Sequence, residues 1–336
     1  MKILLMRLMG LGDVASILVP AARIYRQNYP ASQIDVLTYD AGVEVMSLVN
    51  EVDGILAVEK SQWPASLPEA LTCFWGLGEQ IAGRGYDLVV NLDTWFMPCV
   101  LARILKDVGI CLEGNYLNDS LPEFLQKLNN QEFTQDYFQN QSCYLASTYP
   151  HMSDWWSRAW WLEDRRWPNG YPAYYLAHCC GLAGALDFEL DVPVDWELRN
   201  EAAERPVVAI SVSGRGAHKQ YLHAESLRQV LEEQGYFVWS QFDGSLPIDT
   251  LLSKLRSTDL LITVPTSSRW LAKAVNCPVL LLPGGESPEF TAPEAVVAAS
   301  RSCQFCNQSR CDVQPAYACL DIPAERVIES VKKFLG

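Results

Sequence analysis

The chain opens with KILLMRL, a short and continuously apolar run that predicts a buried strand. GLGD then turns the chain, and VASILVPAARIYRQNYP has its apolar positions at helical spacing. QIDVLTYD predicts a second strand, GVEVMSLVNEV a short helix and GILAVEK a third strand. LPEALTCFWGLGEQIAGRG reads as a helix closed by glycine, DLVVNLD as another strand, and the stretch through CVLARILKDVG as a helix. From about Asn115 to Asp195 the alternation fades, and LDFELDVPVDWELRNEAAERP reads as a linker. It restarts with the strand PVVAISVS, the helix AESLRQVLEEQG and the strand YFVWSQF. The helix IDTLLSKLRSTD, the strand LLITVP, the helix SSRWLAKAVN, the strand CPVLLLPG and the terminal helix PAERVIESVKKFL follow.

Strands alternating with helices predict parallel βαβ units. The expected fold is therefore α/β, with two similar halves and a sheet in each. The N-terminal domain is expected over 1–195, with a Trp-rich insertion. The second domain is expected over 205–322, and a C-terminal helix over 323–336. Ligands of such sheets sit at the carboxyl ends of strands, so the expected site is the cleft between the halves.

The length of 336 residues fits two domains. A net charge of −14 argues against a nucleic-acid binder, which needs a basic face to release counterions. It also argues against electrostatic docking on an anionic membrane. Arg7 interrupts the first apolar run and Gly10, Gly12 and Asp13 end it early, which is unlike a secretory leader. No run is apolar for long enough to span a bilayer. These features lead to the expectation of a cytoplasmic protein with reduced thiols. Cysteines outside the C-terminal tail then read as small buried hydrophobes.

Three loops carry candidate chemistry. In GLGD the glycines permit a tight turn, and Asp13 stands where a helix begins, either as an N-cap or as a carboxylate facing the cleft. The third glycine of the dinucleotide fingerprint is missing. SGRGAHK, Ser213 to Lys219, combines two glycines with cations after a strand, and suits a diphosphate or a solvated turn. Thr266, Ser267 and Ser268 precede a helix, as phosphate ligands or as caps, with Trp270 in the core. Gly284–Gly285 make a third turn of the same half. Trp155, Trp156, Trp160, Trp161 and Trp167 crowd the middle, as an acceptor platform or as core.

Cys303, Cys306, Cys311 and Cys319 are spaced C-x2-C-x4-C-x7-C. Four thiolates suit a tetrahedral zinc or a single iron, and four protein ligands leave no open position, so such a metal is structural. Free thiols and a redox pair at Cys303 and Cys306 are the rival readings.

These segments resemble a known family. RLMGLGDVASILVPAARIYRQNYP is similar to the opening of glycosyltransferase family nine, the heptosyltransferases. YDLVVNLDTWFMPCVLARIL is similar to its fourth strand and following helix, and HKQYLHAESLRQVLEEQGY to its Lys-x-aromatic segment. The tail from PVLLLPGGESPEFTAP through the four cysteines to PAERVIESV resembles the branch that heptosylates autotransporters, whose four-cysteine finger binds iron. The resemblance implies a GT-B type fold of two Rossmann-like domains. It implies inverting transfer from ADP-heptose or a related nucleotide sugar. The expected acceptor is a hydroxyl of a glycan or polypeptide, and no catalytic metal is expected at the reaction centre. Asp13 matches the family's Gly-Asp base and Lys219 its phosphate-binding lysine. With them go Gly10, Gly12, Ser213, Thr266, Ser267, Ser268, Gly284 and Gly285 as donor-binding candidates. Where the family has Asp-(Thr/Ser)-Gly-x-x-His, this chain has Pro265, Thr266, Ser267 and Trp270. That departure motivates one alternative, a non-catalytic binding protein on a transferase scaffold.

Overall fold

The computed structural model describes every residue except 9, 60–62, 64–65, 158–166 and 309. Trp160 and Trp161 therefore lie outside the described residues. The chain divides into two compact units, Met1–Asp164 with Pro172–Asp187, and Arg165–Tyr171 with Phe188–Gly336.

In unit 1 six strands, β1 (Lys2–Met6), β2 (Gln33–Tyr39), β3 (Gly54–Val58), β4 (Leu88–Asn91), β5 (Leu112–Leu117) and β6 (Leu145–Ser147), form one sheet. Their order is β3-β2-β1-β4-β5-β6. β1 to β5 pair in parallel and β6 runs antiparallel to β5. The chain leaves β1 for β2 on one side and reaches β4 on the other. The ends of β1 and β4 therefore flank a topological switch point, where open α/β sheets hold ligands. Ile3, Leu4, Leu5, Val89 and Val90 are fully buried, as expected of a strand covered by helices on both faces.

In unit 2 the strands β7 (Val207–Ser211), β8 (Phe237–Trp239), β9 (Leu260–Thr263), β10 (Val279–Leu281) and β11 (Ala295–Val296) run in parallel in the order β11-β10-β9-β7-β8. Its switch point lies between β7 and β9. One core gathers Val208, Ile210, Leu260, Ile262 and Leu280 from the strands with Leu227, Leu231, Val327 and Val331 from two helices.

The alternating segments appear as elements of the expected type. The middle holds more regular structure than its pattern suggests. β5, β6 and the helices Leu121–Asn129 and Gln135–Gln139 fall there, and the expected linker contains the helix Trp196–Ala202. The cysteines outside the tail divide. Cys99, Cys179, Cys180 and Cys277 are buried, whereas Cys73 and Cys111 are exposed and Cys143 is half-buried. Cys73 sits on the helix Leu67–Ala82 and Cys111 just before β5, both at solvent-exposed positions. Among the described residues no helix is long and apolar enough to cross a membrane.

Candidate functional site

In unit 1 the chemistry gathers at the ends of β1 and β4. The chain leaves β1 through Arg7, which is buried. Gly10, with φ 83°, turns it into the helical segment that starts Leu11–Asp13 and contains Gly12. Asp13 is not the cap. Gly10 holds the cap position, and its carbonyl accepts from the backbone N–H groups of Asp13 (2.9 Å) and Val14 (3.0 Å). The Asp13 side chain makes no capping bond and instead reaches back to Arg7, with Nη2 2.9 Å from Oδ2. The N-cap alternative is thus replaced by an oriented, part-exposed carboxylate.

Arg7 is itself clamped. Its Nη1 donates to the Leu92 carbonyl at 2.6 Å and lies 3.5 Å from Asp93 Oδ1. The fully buried Asp93 accepts the Leu8 backbone N–H, which ties the end of β4 to the end of β1. Burial pushes the Asp93 carboxyl up to about 6, against the pull of Arg7 and the Leu8 N–H. The Tyr175 hydroxyl donates to the Leu92 carbonyl at 2.7 Å, and the Arg7 guanidinium lies 5.8 Å from the centre of the Tyr175 ring. Trp155 packs edge-on against Tyr175 at 4.9 Å, so this tryptophan leads toward the Arg7 cluster while Trp156 is half-buried.

In unit 2 three loops meet beyond β7, β9 and β10. The first is closed by a bridge between Ser213 and Gln220 and by the Gly214 N–H donating to the Lys219 carbonyl at 2.8 Å. Lys219 Nζ donates to the Pro265 carbonyl at 2.8 Å and lies 2.8 Å from Glu286 Oε1, so one side chain links all three loops. The loops touch closely. A Cβ at Gly214 would stand 2.8 Å from Thr266 Cγ2 and 3.0 Å from Lys219 Cβ. Thr266 stands before the helix Ser267–Ala274 in extended conformation, and its side chain caps nothing. Ser267 begins that helix and is half-buried. The Ser268 hydroxyl is turned inward, 2.8 Å from Ser211 Oγ. Trp270 is buried against the Tyr171 ring, so it belongs to the core of unit 2. Gly284 turns at φ 57°, and the Gly285 carbonyl accepts from Asn307 N–H at 2.8 Å. That last bond ties the turn after β10 to the cysteine segment.

Cys303, Cys306, Cys311 and Cys319 line one cavity of about 160 Å³, together with His218 and Gly285. The Tyr317 backbone N–H donates to Cys311 Sγ at 3.3 Å, as amides do toward a ligating thiolate. Burial first, with the other three sulfurs adding, pushes the Cys319 thiol up. Four sulfurs on one cavity with an amide aimed at one of them fit a metal clip. Among the described residues, ligand atoms already within 4.8 Å of one another occur elsewhere, at His151, Asp154 and His178.

Arg7, Asp93, Tyr175 and Glu286 were not among the sequence candidates. Arg7 carried a signal, a charge at the end of an otherwise apolar run; Asp93 and Glu286 stand in the loops after β4 and β10, where polar residues are common and uninformative. Tyr175 had none.

No protein-family model matches the chain. The curated lipopolysaccharide heptosyltransferase 3 of Escherichia coli is 24% identical over 133 residues, 40% of this chain and 32% of that protein. The match thus spans about a third of that relative's length. Among solved structures, the glycosyltransferase family 9 protein of Veillonella parvula superposes with a TM-score of 0.68 at 15% identity, covering 99% of this chain and 97% of that one. The dodecameric iron-containing heptosyltransferase TibC of E. coli, solved with ADP-D-beta-D-heptose, superposes with a TM-score of 0.57 at 13% identity, covering 99% and 76%. The fold is therefore that of the family nine heptosyltransferase structures, a GT-B type pair of Rossmann-like units.

Proposed function

We propose that the chain is an inverting glycosyltransferase that moves a heptose from an ADP-type nucleotide sugar to a hydroxyl of a glycan or polypeptide, in the cytoplasm. The observation that carries this reading is the Asp13 carboxylate, held 2.9 Å from a buried arginine at the switch point of unit 1. A carboxylate so fixed is an oriented proton acceptor. The loops of unit 2 supply what a diphosphate needs, an ammonium and the backbone N–H groups of glycine turns and a helix start.

In the proposed reaction Asp13 takes the proton of the acceptor hydroxyl while its oxygen forms a bond to the anomeric carbon. The bond from that carbon to the diphosphate oxygen breaks, and its electron pair leaves with ADP. Attack opposite the leaving group inverts the anomer. An ammonium has three donors, and Lys219 spends one on the Pro265 carbonyl and one toward Glu286. The third, with Gly214, Thr266, Ser267, Gly284 and Gly285 around it, is assigned to the growing phosphate charge. Ser268 serves through its backbone, since its hydroxyl is committed to Ser211. Gly10 and Gly12 shape the turn that presents Asp13. The reading assigns no catalytic metal, because Lys219 and the amides supply the positive charge. Zinc or iron held by Cys303, Cys306, Cys311 and Cys319 is structural here and orders the loop beside Gly285. The heptosyltransferase similarities support the donor class.

The test is transfer from ADP-heptose to a defined acceptor. Asp13→Asn should lower kcat by roughly 10²–10⁴-fold with ADP affinity kept, and Lys219→Ala should weaken ADP binding. Full turnover by Asp13→Asn removes the assigned base, and unchanged ADP binding by Lys219→Ala removes the assigned diphosphate site.

A further inference from the structure

Away from the Asp13 cluster, unit 1 brings together two imidazoles and a carboxylate that the proposed reaction does not use. His151 and Asp154 are three residues apart at the start of the helix Met152–Ser157, a spacing that puts both on one face. His178 comes from the segment Tyr174–Cys179, which winds as a π-helix. Its Nε2 lies 2.8 Å from Asp154 Oδ2, and His151 Nδ1 lies 4.0 Å from the same oxygen. The three ligand atoms all fall within 4.8 Å of one another. Ligands of a tetrahedral ion at about 2.0–2.1 Å stand about 3.3 Å apart, so the exposed His151 side chain must draw in by about 1–1.5 Å to close the set.

The rings of His151 and His178 are stacked at 5.0 Å with 25° between planes, and Tyr174 stacks on His178 at 5.0 Å. The His178 ring is thus held between two neighbours, with Nε2 aimed at the carboxylate, before any ion arrives. Such preorganisation lowers the ordering cost of binding. π-Helical turns are also concentrated at functional sites, because they swing a side chain out of α-helical register.

We propose that His151, Asp154 and His178 form a binding site for a divalent transition ion of the zinc class, separate from the four cysteines. Two imidazoles and one carboxylate suit zinc and its neighbours, and not magnesium or calcium, which take oxygen ligands. On binding, the ion replaces the proton shared by His178 and Asp154, and both imidazoles coordinate in the neutral form. Three protein ligands leave a fourth position for water or a ligand donor, unlike the closed set of four thiolates. The ion would join the helix Met152–Ser157 to the segment that carries Tyr175.

The test uses the full-length protein and Co²⁺ as the probe, displaced afterwards by Zn²⁺. Cobalt bound by nitrogen and oxygen shows visible bands without the thiolate-to-cobalt charge-transfer absorption that a cysteine site produces. One equivalent of this kind is expected, displaced by Zn²⁺. His151→Ala, at an exposed side chain, and His178→Ala should each weaken it by roughly ten-fold or more, with any charge-transfer equivalent unchanged. Thermal melting of each variant shows whether it is folded, and the His151→Ala result decides should His178→Ala unfold. A wild-type protein without this equivalent, or equal affinity in the folded variants, overturns the proposal.

Discussion

Gly10 and Asp13 compete for one small volume. A Cβ at residue 10 would stand 2.8 Å from Asp13 Oδ2, and the backbone there holds φ 83°. Gly10→Ala therefore combines backbone strain of about 1–3 kcal/mol with a displaced carboxylate. The expected outcome is a lower Tm together with a loss of turnover greater than the loss of ADP affinity, read by melting and by kinetics. Asp93 makes a different prediction. Its folded carboxyl titrates at about 6, above the ordinary aspartate value. Between those two values the folded state holds a proton that the unfolded state has released, so this group's contribution to stability falls as pH rises through the interval. Asp93→Asn keeps an acceptor for the Leu8 N–H and removes the titration. The Tm of the variant minus that of the wild type should grow from pH 4 to pH 7, and a flat difference contradicts the assignment. Some of this scale was legible in the sequence. Asp13 and Lys219 stood out by type and position, but the partner of Asp13 is six residues back across a turn, and no local pattern announces that.

At the scale of elements, the strands that the pattern predicted are those with unbroken apolar runs, such as Lys2–Met6 and Leu260–Thr263. β5 escaped because LEGNYL carries a half-buried Glu113 and a buried Asn115, polar residues that break the apolar pattern. Asn115 donates to the Asp93 carbonyl at 3.0 Å and to the Tyr175 hydroxyl at 3.2 Å, and Glu113 accepts from the Tyr25 hydroxyl at 2.7 Å. β11 has two residues, too few for any period. The cysteine spacing marks that loop as a candidate clip, but how the loop attaches to its neighbours was not legible. Asn307 bonds the Gly285 carbonyl through its N–H and accepts from the Ser287 N–H at 3.2 Å, so the loop braces the turn after β10. If a metal orders that loop, Cys306→Ser should reduce zinc or iron content by elemental analysis. It should also lower Tm by several degrees, at about 2–4 °C per kcal/mol. Unchanged metal content and Tm would remove the clip from the account.

For the molecule as a whole, the charge of −14 makes any anion site a local exception, and the proposed one rests on Lys219 and the backbone amides around it. Ligand-induced stabilisation is the direct measurement. An ADP sugar at 100 times its Kd adds about 2.7 kcal/mol, and UDP, GDP and dTDP sugars should give smaller shifts in a thermal screen. A larger shift with another base reassigns the donor. The two-unit organisation was legible from the restart of alternation after residue 205, but the path of the chain was not. Unit 2 includes Arg165–Tyr171, drawn from the middle of unit 1. Gly170 abuts the Phe290 carbonyl, and Tyr171 stacks on the Phe290 ring at 4.7 Å. Severing the gene at codon 188 therefore does not yield two self-sufficient products. The C-terminal fragment lacks the aromatic plug over Phe290 and Trp270, and fragment complementation succeeds only when the other polypeptide delivers it.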